Sequence, residues 1–301
     1  MNDSTLVVKT SAHSLFQPSK AAFWVFCLGL LGGVYATYNM TVSGLSVVPV
    51  TVAGALLAWV LYTLPMLWLF RLLGILQQET FKAFAMAFAW GGLAAVYLAI
   101  PANQAVIAMM AKVLSPEIGL TWAAAVAGPS DEEPLKLLGV ILLILIAPAR
   151  FKTISSVMAI GAMVGLGFQV VENYSYTVNV ALNYSSTNQV EPVVQMLIVR
   201  GVFCGLWSHA AYTAIASFGV GYFVVRQDKS MAQRLAVAVL AFVAAWSLHS
   251  FWNSPLLAGD STNILLTLLY LPLKGAPVLL AALLLRYVAK RDRLQTQNNS
   301  R

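Results

Sequence analysis

Apolar residues run through this chain in eight stretches, near 21–39, 46–70, 83–111, 120–147, 153–179, 192–225, 231–253 and 263–288. Each reaches or approaches the ~20 residues a helix needs to cross a hydrocarbon core of about 30 Å. The pattern predicts an all-α fold: a polytopic transmembrane helix bundle of about eight spans. The third stretch contains Pro101 and the sixth is unusually long, so kinks or strong tilt are expected in both. In the fourth, Gly128-Pro129 is expected to interrupt the span, with Ser130 or Asp131 capping a new helix. Ser130 and Glu133 are spaced as a capping box, and Pro134 suits a first helical turn.

The loops between these stretches are charged on one side only. Lys9, Lys20, Arg71, Lys82, Arg150, Lys152, Arg226, Lys229, Arg234, Arg286, Lys290, Arg291, Arg293 and Arg301 all fall on one side of the map. The opposite loops (40–45, 112–119, 180–191 and 254–262) hold only Lys112. This asymmetry predicts an even number of crossings with both termini in the cytoplasm. The net charge of +7 therefore reports orientation and gives no reason to expect a nucleic-acid partner. Residues 1–20 read as a polar cytoplasmic N-terminus without the apolar core of a signal peptide, so the first span is expected to direct its own insertion. Residues 290–301 read as a polar cytoplasmic tail, and 1–301 as a single integral-membrane domain whose motif-bearing core is 120–253. With 59% hydrophobic and 10% charged residues, the composition excludes an ordinary soluble domain. Cys27 and Cys204 both lie in apolar stretches and suggest neither a disulfide framework nor a cysteine metal site.

Seven side chains interrupt the apolar stretches: Glu132, Glu133, Lys136, Glu172, Arg200, His209 and His249. A charge at the centre of a membrane helix costs about 2.5–3.5 kcal/mol on insertion scales, so these groups are expected to face inward and satisfy one another. Lys136 follows Glu132 by four residues and Glu133 by three, close enough on a helix to neutralise one carboxylate and leave the other as a general base. In the fifth stretch Gly161, Gly165, Phe168, Glu172 and Asn179 share a stripe, with Tyr176 at its edge. Gly161 and Gly165 form a small-residue packing face, which directs Glu172 into a helix contact. Gly205, His209, Thr213 and Ala216 share a face of the sixth stretch, while Arg200 falls about 180° away on an unbroken helix, at an ion pair or an outer end. His249 and Asn253 stand side by side in the seventh, where Ala238 and Ala245 keep that face thin. Two histidines beside two or three carboxylates form an inventory for activating water. The sequence contains neither a His-Glu-x-x-His metal helix nor a Gly-x-Ser-x-Gly elbow.

The ordered set Glu132-Glu133-x-x-Lys136, Phe168-x-x-x-Glu172-Asn173, His209 and His249-x-x-Trp252-Asn253 resembles the PrsW family of intramembrane proteases, a branch of the CAAX-protease and bacteriocin-processing superfamily. The matching motifs span residues 132–253. The resemblance implies hydrolysis of a peptide bond in a membrane-anchored protein, such as an anti-sigma factor, by a protein integral to a bacterial-type inner membrane. It implies Glu132 or Glu133 as base, Glu172 with His209 holding or polarising a water or a metal, and His249 with Asn253 stabilising the oxyanion. Lys136, Asn173 and Arg200 would support these groups. Glu172, His209 and His249 would be the ligands of one divalent metal, zinc, if the mechanism is metal-dependent; a metal-free glutamate mechanism stays open. Glu172 lies about 12 Å and His249 about 7 Å from their outer helix ends at 1.5 Å per residue, so the site is expected to open toward the extracytoplasmic half of the bilayer.

Two other classes use the same residues. A proton-coupled transporter would employ the Glu/His cluster as a relay. A non-catalytic immunity or scaffold protein would keep it for folding or partner binding.

Overall fold

The computed structural model describes residues 13–184, 188–256 and 264–299; Lys9 and Arg301, among the one-sided basic residues, lie outside them. Over these residues the chain is an all-α bundle. The helices are α1 (Ala21–Val47), α2 (Pro49–Leu72), α3 (Phe81–Val113), α4 (Pro116–Ile146), α5 (Ile154–Tyr184), α6 (Glu191–Phe203), α7 (His209–Val225), α8 (Met231–Asn253) and α9 (Ile264–Asn299). Six of these, α1, α2, α3, α5, α8 and α9, are long and apolar enough to cross a membrane, and α6 with α7 makes a seventh if read as one broken span. The exception is α4, which carries Glu117, Asp131, Glu132, Glu133 and Lys136. Its 31 residues still extend about 46 Å at 1.5 Å per residue.

The bundle is built around α5. Its apolar window is 89% buried, against 11% for α1, although both helices are strongly apolar. Small residues let its neighbours come close. A Cβ at Gly165 would strike the His209 carbonyl of α7, and one at Gly161 would strike Ser217. The predicted small-residue face therefore brings the backbones of α5 and α7 together, directly beneath His209.

Contacts at the helix ends sort the loops. Lys20 Nζ donates to the carbonyls of Leu145 (3.1 Å) and Ile146 (2.7 Å), tying the start of α1 to the end of α4. Glu79 accepts from Arg150 Nε at 2.7 Å and from Ser156 Oγ at 2.5 Å, tying the entry of α3 to that of α5. Arg286 of α9 donates to the Leu73 carbonyl just after α2. The basic helix ends thus gather at one end of the bundle. At the other, Thr41 pairs with Tyr174 at 2.8 Å and Thr51 donates to the Gln189 carbonyl at 2.6 Å.

One local expectation is corrected. The fourth stretch has no break at Gly128-Pro129: α4 starts earlier, with the Ser115 side chain accepting from Ile118 N at 3.1 Å and Pro116 in the first turn. It then runs unbroken through Pro129 and Pro134. Side chains of α3 and α8 donate into it on either side of the prolines: Asn253 Nδ2 to the Ala124 carbonyl (3.1 Å), Trp246 Nε1 to Ser130 Oγ (3.2 Å) and Trp90 Nε1 to the Leu135 carbonyl (2.9 Å). These bonds clamp α4 to its neighbours on both sides of the prolines.

The sixth stretch is bent, as its length predicted, and the break falls after Phe203. There α6 ends in a π-helical segment, Leu197–Phe203, a short 3-10 turn follows at Gly205–Trp207, and α7 leaves at 54°. The Tyr62 hydroxyl sits where a side chain at position 205 would be. Gln169 Nε2 donates to both Tyr62 Oη (2.8 Å) and the Gly205 carbonyl (3.2 Å), satisfying backbone that the helix no longer pairs. In α3 the irregularity is likewise a π-helical segment, Trp90–Ala95, upstream of Pro101, where Gly91 and Gly92 abut the Val164 and Gly167 carbonyls of α5.

Candidate active site

Five helices converge on one polar cluster. Glu132, Glu133 and Lys136 come from α4, Glu172 and Asn173 from α5, Arg200 from α6, His209 from the first turn of α7, and His249 from α8. Glu132, Glu133, Lys136, Asn173, His209 and His249 are buried, while Glu172 and Arg200 are partly open. Because the break turns α6 against α7, Arg200 is not opposite His209 as an unbroken helix would have it. Both reach Glu172 Oε2, Arg200 through Nη2 and His209 through Nε2 at 3.1 Å. Arg200 Nε also donates to Asn173 Oδ1 at 2.5 Å, and its guanidinium lies over the Tyr176 ring at 4.1 Å.

Lys136 ties the centre together. Its Nζ donates to Glu133 Oε1 at 2.6 Å, meets His209 Nδ1 at 2.9 Å, and lies 3.6 Å from Glu132 Oε2. Phe168 places its ring 4.5 Å from the same nitrogen. The lysine head group only donates, so His209 Nδ1 accepts, and His209 Nε2 carries the proton given to Glu172. Glu133 Oε1 lies 2.8 Å from His249 Nδ1, and a carboxylate only accepts, so His249 Nδ1 carries the proton there. That leaves His249 Nε2 with a bare lone pair.

Glu132 is in a different position from Glu133. Its Oε1 takes a long bond from Asn103 Nδ2 (3.4 Å), and its Oε2 accepts no hydrogen bond. This Oε2 lies 3.6 Å from His209 Nδ1 and 4.0 Å from His249 Nε2. Two bare acceptors facing one another across 4.0 Å call for a proton, a water or a cation between them. Charge balance adds to this: Glu132, Glu133 and Glu172 face only Lys136 and Arg200, so one negative charge is unmatched. Glu132, His209 and His249 each offer one ligand atom, all within 4.8 Å of one another; the group fits a divalent metal once Lys136 withdraws from His209 Nδ1 and frees its lone pair.

The cluster borders a cavity of about 360 Å³ lined by Glu132, Glu172, His209, Tyr212, His249 and Asn253. The cavity extends past Leu120 and Ala123 near the start of α4, toward the end of the bundle away from the basic loops. Glu133 and Lys136 lie behind its wall. Tyr212 stacks on His249 (centroids 4.7 Å apart, planes 8° apart), and its hydroxyl has no hydrogen-bond partner. The Asn253 amide lines the cavity and donates to the Ala124 carbonyl.

A family model described as PrsW family intramembrane metalloprotease matches residues 79–284, from the entry of α3 well into α9. The chain belongs to this family. No curated protein and no solved structure matches it. As a PrsW family member it is an integral, multi-pass membrane protein and an intramembrane protease, a hydrolase whose substrate is a protein embedded in the membrane. The match takes in every residue of the cluster and extends on both sides beyond the 132–253 motif region.

Two residues at this PrsW site escape the sequence reading. Asn103 is one of two adjacent amides, with Gln104, in an apolar helix two residues after Pro101, and polarity at that depth was the available signal. Tyr212 follows His209 by three residues and so shares its helix face, but an aromatic in a membrane helix reads first as packing. Lys274, in α9, donates to the Ser254 carbonyl at 2.8 Å and closes the end of α8 below Asn253.

Proposed function

We propose that this protein cleaves a membrane-anchored protein segment that enters the cavity from the end away from the basic loops. With both termini cytoplasmic, that end is extracytoplasmic. The fitting substrate is a single-span regulator of the anti-sigma type in a bacterial-type inner membrane. The observation that carries the reading is the unpaired Glu132 Oε2 facing the bare His249 Nε2 at the cavity wall.

Glu132, His209 and His249 would hold a divalent ion, zinc being the one their donor set suits. What such an ion supplies is Lewis acidity toward the attacking water and the scissile carbonyl. Glu172, the other carboxylate on the cavity wall, takes the proton from the water and returns it to the departing amine. This exchanges the roles expected for Glu132 and Glu172. Arg200 and Asn173 hold Glu172 at the wall. Glu133 orients His249 from behind, as a carboxylate commonly does for a metal-binding imidazole. Tyr212 offers its free hydroxyl to the oxyanion beside His249, and Asn253 positions the mouth by holding α4 to α8.

The test is metal content together with cleavage of labelled single-span peptides, for wild type, Glu132→Gln and Glu172→Gln. The expected result is a stoichiometric divalent ion in wild type, loss of both ion and cleavage in Glu132→Gln, and loss of cleavage alone in Glu172→Gln. Undiminished cleavage by metal-stripped wild type would replace this scheme with a glutamate mechanism. An ion lost from Glu172→Gln but kept by Glu132→Gln would restore the opposite roles. Neither ion nor cleavage in wild type would favour the relay.

A further inference from the structure

A second cavity, of about 520 Å³, lies at the other end of the bundle, among the basic helix ends. Its walls come from α2, α5, α7 and α9 and are mostly apolar, with Phe70, Met158, Ala214 and Leu279 among them. Two of its lining residues, Leu206 and Leu283, are about half exposed, so the cleft opens sideways to the hydrocarbon. Its charged lining residues are Arg286 and Lys290, and no acidic side chain lines it among the described residues. These two are four apart on α9 and so stand side by side. Arg286 is fixed at the rim by its bond to the Leu73 carbonyl, and Lys290 is exposed.

Within a bilayer no water is available to fill an apolar cleft at this depth, and acyl chains are what surround it. Two uncompensated cations at its interfacial rim select a negatively charged head group. We infer that this cleft binds one anionic phospholipid, with an acyl chain between α2, α7 and α9 and its phosphate on Arg286 and Lys290. The lipid would lie against Ala210 and Ala211, the residues directly after His209, and so brace the first turn of α7 from the side away from the catalytic cavity.

Native mass spectrometry of the full-length protein, titrated with phosphatidylglycerol or phosphatidylcholine, tests this. The expected result is one tightly held phosphatidylglycerol, preferred over phosphatidylcholine. Lys290→Gln should weaken it about fivefold and the pair Arg286→Gln/Lys290→Gln on the order of 25-fold, at roughly a factor of five per basic residue. Because Lys290 is exposed, its variant reports on binding even if the double variant folds poorly. Filling the cleft with Ala282→Trp, with an unchanged melting temperature, should abolish the adduct. Equal retention of the two lipids, or a phosphatidylglycerol adduct that survives both Lys290→Gln and the cleft-filling variant, would overturn the inference. So would a photo-crosslinker at Leu283 that captures the peptide substrate in place of lipid.

Discussion

Glu132 and Glu133 are neighbours on α4, yet they stand in two different regions of the molecule. Glu133 is on the sealed side. Lys136 and His249 both bond its Oε1, its Oε2 is buried without a partner, and the catalytic cavity does not reach it. Glu132 is on the cavity side, with one oxygen held loosely by Asn103 and the other bare. A helix turns 100° per residue, which suffices to put one carboxylate where reactants arrive and the other where it can only hold its neighbours. On the proposed reading, identical side chains one residue apart have separable jobs, one in chemistry and one in architecture.

The sharpest way to break this comparison is Glu132→Gln. Cleavage should fall by about 10³-fold or more while the melting temperature in detergent stays near that of wild type, because the amide can still accept from Asn103. Glu133→Gln should do the reverse in kind. It removes the closer anionic partner of the buried Lys136, leaving Glu132 at 3.6 Å, and should destabilise the fold by about 3 kcal/mol, seen as a lower melting temperature and poor yield. Adding Lys136→Met to Glu133→Gln should recover much of that stability, since removing both members of a buried pair is far milder than removing one. If Glu133→Gln were as stable as wild type, the sealed region would not be holding the helices. Within the cavity region, Tyr212→Phe should lower kcat by about 10²-fold with KM and metal content unchanged, as expected of an oxyanion donor. The smallest effect belongs to Asn103→Ala, which removes one long hydrogen bond and should reduce kcat/KM about fivefold.

Much of this could be read in the sequence because hydrocarbon is an unforgiving solvent. Glu132, Glu172, His209 and His249 stand out because ionisable groups are rare inside membrane-length apolar stretches, and Gly161 with Gly165 marks the face that brings α5 to α7. What escaped depended on partners remote in the chain. The break after Phe203 rests on Tyr62 and Gln169, from α2 and α5, so local sequence gives no reason to place it there. Arg200 is in an ion pair, as expected, but the break brings it to the same carboxylate as His209 and not to the opposite face. The opposite error occurred in α4, where Gly128-Pro129 is a strong local signal for a break, yet the helix runs on, clamped on either side by α3 and α8. Periodicity predicts which way a side chain points only while the helix carrying it stays whole.

The polarity of α4 also has a bearing on biogenesis. With Asp131, Glu132, Glu133 and Lys136 in its middle, this segment is a poor client for lateral release from the translocon by itself. The groups that satisfy it, His209 and His249, are synthesised later, on α7 and α8. Lipid integration of α4 is therefore tied to the arrival of its C-terminal neighbours, and a nascent chain halted before His209 would hold a span the bilayer rejects. The polar groups of α4 thus make this helix depend on its C-terminal neighbours for a place in the bundle.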